Sequence, residues 1–215
     1  GTDIKDKVKA EFYVMSQCPY GTQVEDAIAP VLEKMGDAVD FHLDYIAQEE
    51  TTGKLNSLHD YCEVNGQKVS KQEISSIAQC DSKSGIWRDY ESQGDKVQLC
   101  AQKYYPENYK YMKLILCQNE NYANINTNWK DCAQKNGMDA NKLELCMNGQ
   151  EGIDLLRAST QRAQARKASG SPTIYFADSA YQGQRDNVSF QRAICQTSTH
   201  SACTNLPKCA SDADC

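Results

Sequence analysis

Ala10-Glu11-Phe12-Tyr13-Val14-Met15-Ser16 runs through Gln17 into Cys18-Pro19-Tyr20-Gly21, and this stretch decides the fold. Its first seven residues are rich in strand formers and short enough for a buried strand. After Gly21 the period changes. Val24, Ala27, Ile28, Val31, Leu32 and Met35 form the apolar stripe of an amphipathic helix. Gly36 is its expected stop, and Pro30, which has no N–H, is expected to kink it. Val39 to Ile46 alternates apolar and polar residues and reads as a second strand. A cysteine at such a strand-to-helix junction places its sulfur beside unpaired N–H groups and the positive end of the helix dipole. That favours the thiolate, the form that attacks disulfides. Proline at the first helical position sacrifices no hydrogen bond there. Taken alone, Cys18 would still read as a buried structural thiol or half of a disulfide.

Composition narrows the compartment. The 215 residues carry a net charge of -6 with the two signs interleaved, which argues against nucleic acid as a partner. There is no apolar run of about 18 residues, so no membrane span is expected. The opening Gly1-Thr2-Asp3-Ile4-Lys5 is polar, and an exported protein would have shed its signal peptide. Eleven cysteines are spread along the chain, none closer to the next than five intervening residues, with only three histidines beside them. Zinc sites favour tighter cysteine pairs, so no metal and no bound cofactor are expected. Dispersed cysteines in odd number point to several disulfides plus one thiol, hence an oxidising compartment. The protein is expected to be secreted or periplasmic, or lysosomal or of the endoplasmic-reticulum type in a eukaryote. Separation alone suggests Cys62 with Cys80, pairings among Cys100, Cys117, Cys132 and Cys146, and Cys195, Cys203, Cys209 and Cys215 stapling the tail.

From Thr51 to Lys167 the chain is polar and helix-compatible, with no strand comparable to the first two. Helices are expected over Asp95–Leu116, over Tyr122–Asn136 and within Leu143–Arg166, with a turn at Gly137-Met138-Asp139. Ser171-Pro172-Thr173-Ile174-Tyr175-Phe176-Ala177 returns to strand character. A turn at Asp178-Ser179, a short strand near Tyr181 and a helix at Ser189–Cys195 follow. The last twenty residues cannot build a core alone and read as a disulfide-tied tail.

Cys18 and the distant Gly170-Ser171-Pro172-Thr173 together resemble the thioredoxin-like superfamily. The run Pro172 to Asp178, Tyr181-Gln182-Gly183 and Phe190-Gln191-Arg192-Ala193-Ile194 is similar to the closing strands and helix of bacterial Dsb-type members. Cys146 to Arg162, Trp129-Lys130-Asp131-Cys132-Ala133 and Lys96-Val97-Gln98-Leu99-Cys100-Ala101 are similar to gamma-interferon-inducible lysosomal thiol reductases. The resemblance implies an α/β thioredoxin-like fold with a large all-helical insertion between strands 2 and 3. Its expected parts are 1–50, the Cys-rich insertion 51–167, a closing part 168–196 and the tail 197–215. It further implies Cys18 as nucleophile, Pro172 as a cis-proline and Ser171 as the residue facing substrate. Pro19, Tyr20, Gly21 and Thr173 complete the expected substrate contacts.

The chain departs from both families at Gly21, where their C-x-x-C motif has its second, resolving cysteine. Three routes stay open. Cys18 works as a monothiol, with glutathione or a second substrate thiol completing exchange; a distant cysteine resolves; or the site only binds. The leading expectation is a thiol–disulfide oxidoreductase or isomerase acting on protein or small-molecule disulfides. The alternative is a non-catalytic protein that captures cysteine-bearing partners.

Other features read more plainly. Tyr104, Tyr105, Tyr109 and Tyr111 fit a helix core or kink better than a peptide groove over Cys18. His42 reads as a surface residue and His59 as isolated. Asn187-Val188-Ser189 fits a glycosylation acceptor. The loop Cys209 to Cys215 has two aspartates, too few for calcium, and reads as a solvated disulfide loop.

Overall fold

The computed structural model describes residues 6–206; the loop between Cys209 and Cys215 lies outside them. β1 (Val8–Val14), α1 (Pro19–Met35) and β2 (Val39–Tyr45) form the expected strand–helix–strand. Pro30 lies within α1 and does not end it. There follow β3 (Ala47–Glu49), β4 (Leu55–Ser57), β5 (Tyr61–Val64), β6 (Gln67–Lys68), α2 (Ile77–Ser82) and β7 (Ile86–Arg88). The insertion is then helical: α3 (Tyr90–Tyr104), α4 (Tyr111–Asn119), α5 (Ile125–Lys135), α6 (Ala140–Asn148) and α7 (Gln150–Ala165). The chain returns to the sheet with β8 (Thr173–Phe176) and β9 (Ser179–Ala180) and closes with α8 (Asn187–Cys195).

The main sheet has the order β2-β1-β8-β9. β1 runs parallel to β2, from Val8 opposite Val39 to Val14 opposite Tyr45, and antiparallel to β8, with Phe12 opposite Ile174. As the central strand, β1 is covered on both faces, which explains its nearly unbroken burial. Ala10, Phe12 and Val14 face α1 and α8. There the Phe12 ring meets Phe41, Phe176 and Phe190 edge-on at centroid distances of 5.3, 6.1 and 5.3 Å. The opposite face carries Glu11, Tyr13 and Asp44, met by α7 and its C-cap. Arg162 binds Asp44, and Arg166 binds Glu11. His42, on this second face, is half-exposed and lies 3.0 Å from Asp40, as a surface residue should.

Two differences from the sequence reading concern the insertion. Its first third holds the antiparallel sheet β6-β5-β7 and the strand β4, which pairs with β3 just before it, within a stretch read as strandless. These strands are two to four residues long, too short for an alternation to register. The helices are also more broken. Asp95–Leu116 divides at Tyr105, whose φ of -133° reflects the steric demand of Pro106 behind it. Within Leu143–Arg166 lies α7, as expected, and Gly149, which is extended, parts it from α6.

Disulfides brace these short pieces. Cys62–Cys80 ties β5 to α2, Cys100–Cys146 ties α3 to α6, and Cys117–Cys132 ties α4 to α5. Cys195–Cys203 fastens the tail to α8. Tyr109, in the break between α3 and α4, donates its hydroxyl to Val39 O at 2.7 Å and packs on Phe41. The tyrosine cluster thus anchors the insertion at the far end of α1 from Cys18, about 25 Å along a helix of 17 residues.

Candidate active site

The chain leaves β1 at Val14, turns through Met15-Ser16-Gln17 and enters α1 with Cys18 as its N-cap. Cys18 N–H donates to Met15 O at 3.0 Å, and Thr22 N–H donates to Cys18 O at 3.0 Å, so the backbone is committed to the helix from this residue. A side-chain oxygen usually caps such a position. Here the side chain is a thiol, 8% exposed, which makes no capping hydrogen bond and lies at the positive end of the dipole. Among the described residues Cys18 is the free cysteine.

The loop before β8 closes over it. The Ser171–Pro172 peptide bond is cis. Cys18 Sγ lies 3.7 Å from Ser171 O, and Ser171 Oγ accepts from Met15 N–H at 3.0 Å. Cys18, Pro19, Gly21, Ser171 and Pro172 therefore converge. Tyr20 stands beside them, 61% exposed. Thr173 belongs to the strand, opposite Tyr13, and its hydroxyl donates to Gly170 O at 2.7 Å. Gly21 is buried, and a Cβ on it would meet Ser171 Oγ at 2.9 Å, Met15 O at 3.2 Å and Val14 Cβ at 3.3 Å. A groove of about 490 Å³ opens next to this loop, lined by Met15, Ile46, Leu58, Lys71, Ala168 and Ser169.

Behind the loop is a buried polar network absent from the sequence reading. Ser16 Oγ donates to Asp95 Oδ1 at 2.5 Å, and Ser57 Oγ donates to Asp95 Oδ2 at 2.9 Å. Ser92 donates both its N–H and its hydroxyl to Asp60. Gln17 N–H donates to Glu91 Oε2 at 2.8 Å, and His59 Nδ1 lies 2.7 Å from the same oxygen. His59 is thus paired rather than isolated. Burial pushes the Asp60 carboxyl up to about 7 against the hydrogen bonds it accepts, and pushes Asp95 well up, with the Glu91 charge adding to the effect. Asp89-Tyr90-Glu91-Ser92-Gln93-Gly94-Asp95 shows this only as acidic residues at helical spacing. Among the described residues no group of three or more His, Cys, Asp or Glu is arranged to hold a metal ion.

Residues 9–136, more than half of the chain, match the family model of gamma interferon inducible lysosomal thiol reductase, GILT. The chain belongs to the GILT family. Within that match fall Lys96–Ala101 and Trp129–Ala133, two of the three segments that carry the resemblance. Residues 111–194 of this GILT-family protein also match the DSBA-like thioredoxin domain, including the segment from Cys146 to Arg162. No curated protein sequence matches it.

Solved structures share its fold. Reduced DsbA from Mycobacterium tuberculosis is 13% identical, with a TM-score of 0.55 over 93% of this chain and 84% of that one. Oxidised BdbD from Bacillus subtilis is 11% identical, with a TM-score of 0.56 over 91% and 89%. MdbA, a thiol-disulfide oxidoreductase from Actinomyces oris, is 9% identical, with a TM-score of 0.59 over 92% and 84%. The GILT-family chain is thus a thioredoxin-like protein with a helical insertion, placed among thiol–disulfide oxidoreductases by its two family matches. None of its described helices is long and apolar enough to cross a membrane.

Proposed function

We propose that this protein exchanges thiols and disulfides through Cys18 alone, in an oxidising compartment. The carrying observation is the pairing of a free sulfur at a helix start with Gly21 at the resolving position, where Ser171 crowds the missing side chain. The other eight described cysteines are in disulfides. In the first step the Cys18 thiolate attacks one sulfur of a substrate disulfide, forming a mixed disulfide and releasing the other sulfur as a thiolate. In the second, a thiolate from the same substrate or from glutathione attacks that mixed disulfide. It leaves with the substrate sulfur and regenerates Cys18. The two steps conserve electrons, so the reaction is isomerisation or transfer rather than net oxidation.

Ser171 and Pro172 present backbone to an extended substrate beside the sulfur, with Pro19, Tyr20, Gly21 and Thr173 around it. The groove along Met15, Ile46 and Leu58 supports a protein substrate, since it gives an extended chain apolar surface next to the exchange point. The paired cysteines support a secreted, periplasmic or lysosomal setting.

A self-quenched peptide disulfide tests the reading. Wild type should turn over repeatedly only with glutathione added, and Cys18→Ser should be inert. Exchange that survives in Cys18→Ser removes the site. If wild type stops after one equivalent of mixed disulfide with glutathione present, the protein captures rather than turns over.

A further inference from the structure

The exchange steps leave His59 and Glu91 without a role, although they sit against the Cys18 loop. Glu91, on α3, is fully buried; the His59 side chain is 39% exposed. Glu91 Oε2 accepts from Gln17 N–H, and Gln17 is bonded directly to Cys18. Its Oε1 accepts from His59 N–H at 3.1 Å, while the His59 ring faces Oε2. One carboxylate therefore fixes the backbone before the sulfur and holds the histidine on both its ring and its main chain.

The surroundings leave Glu91 dependent on that histidine. Asp60 and Asp95 are also buried, and burial favours their protonated forms. The ammonium of Lys71 is engaged by Asn56 Oδ1 and Ser57 O, and its charge is shared among Asp60, Glu91 and Glu50. The hydrogen bond to Glu91 raises His59 above the usual histidine range; desolvation and Lys68 oppose this, and Asp60 assists it. An uncompensated charge on buried Glu91 would disfavour a second negative charge on the neighbouring sulfur.

We propose that His59 is a positioning residue for Cys18: its imidazolium neutralises the Glu91 carboxylate that holds Gln17 N–H, so the Cys18 thiolate forms without facing an unpaired buried charge. The inference rests on Cys18 being the exchanging thiol. It makes thiol reactivity depend on a histidine linked to the Cys18 loop through Glu91.

The test is the rate of Cys18 alkylation by iodoacetamide between pH 5.5 and 8.5. His59→Gln should slow alkylation near pH 6.5 by roughly threefold to tenfold. Adding Glu91→Gln to it should restore most of the lost rate, because no charge is left to neutralise and the amide oxygen can accept Gln17 N–H, at the cost of the acceptor for the main-chain N–H of residue 59. A His59→Gln rate equal to wild type, or a double variant as slow as the single one, overturns the inference. Wild type gives a check that needs no variant, since linkage is reciprocal. Proton NMR of its three histidines should show one titration midpoint moving down after Cys18 is carbamidomethylated; three unmoved midpoints overturn the inference. A native Cys18 that no alkylating reagent reaches overturns the exchange reading itself instead.

Discussion

Ser171 Oγ lies 2.9 Å from the point where a Cβ on Gly21 would sit, and the same hydroxyl accepts from Met15 N–H. The absent side chain and the serine are therefore coupled. Gly21→Ala should destabilise the fold by about 1–3 kcal/mol through overpacking. Ser171→Ala should cost about 1 kcal/mol for the lost hydrogen bond. Their combination should cost less than the sum, because alanine in place of Ser171 vacates the space. Urea denaturation of the four proteins measures this coupling, and strict additivity would refute it.

Glu25 lies on α1, fully buried, with Asn119 Nδ2 donating to one of its oxygens at 3.2 Å. Burial pushes its carboxyl up to about 8, partly offset by Asn119 and reinforced by Asp26. The unfolded chain releases this proton near pH 4.5, whereas the folded one keeps it to about pH 8. Stability should therefore fall as pH rises through that window. Glu25→Gln removes the penalty. Its Tm should exceed that of wild type at pH 7.5, by an amount equivalent to a few kcal/mol, and match it at pH 4. A constant gap across pH would count against the assignment.

Arg166 closes a fork on buried Glu11, at 3.0 and 2.7 Å, and also reaches Asp178. Burial works to raise the Glu11 carboxyl. Hydrogen bonds from Arg166 and Tyr13, with Lys9 nearby, outweigh it and hold the carboxyl low. A lowered carboxyl stabilises the fold above its unfolded pKa, and that contribution fades as pH falls through the folded value. Arg166→Met should destabilise by about 3 kcal/mol at pH 7 and by less at pH 3.5. Chemical denaturation at the two pH values decides; equal losses would mean packing rather than charge.

Gly94 lets α3 approach both α5 and the Cys18 loop. A Cβ there would meet Ile125 Cγ1 and Cγ2 at 2.7 Å and Ser16 Oγ at 3.0 Å. Gly94→Ala should cost about 1–3 kcal/mol and also slow Cys18 alkylation, because Ser16 must move. Lowered stability with unchanged alkylation would separate the two contacts.

The core of the fold was legible because its signals are long or local. The seven-residue β1, the stripe of α1 and the Ser171-Pro172 pair each carry their own pattern. Cys62 and Cys80 pair as their separation suggests, whereas Cys100 and Cys117 have their partners chosen by how α3 to α6 pack, which no spacing encodes. The same holds for His59 and Glu91. They lie 32 residues apart in sequence, and only the turn of the chain between β4 and α3 brings them under Gln17. Small sheets and buried charge networks arise from tertiary closure, so they leave no periodic trace.

A chain that exchanges disulfides through Cys18, as proposed, while carrying bridges of its own would run the hazard of shuffling itself. In this fold the bridging sulfurs of Cys62, Cys80, Cys100, Cys132 and Cys146 belong to residues no more than 4% exposed. A Cys18 thiolate, of the same molecule or of a neighbouring copy, could not line up with those buried sulfurs for attack. Burial of the Cys62–Cys80 and Cys100–Cys146 bridges would thus work as kinetic insulation, keeping these two cross-links out of the exchange proposed for Cys18.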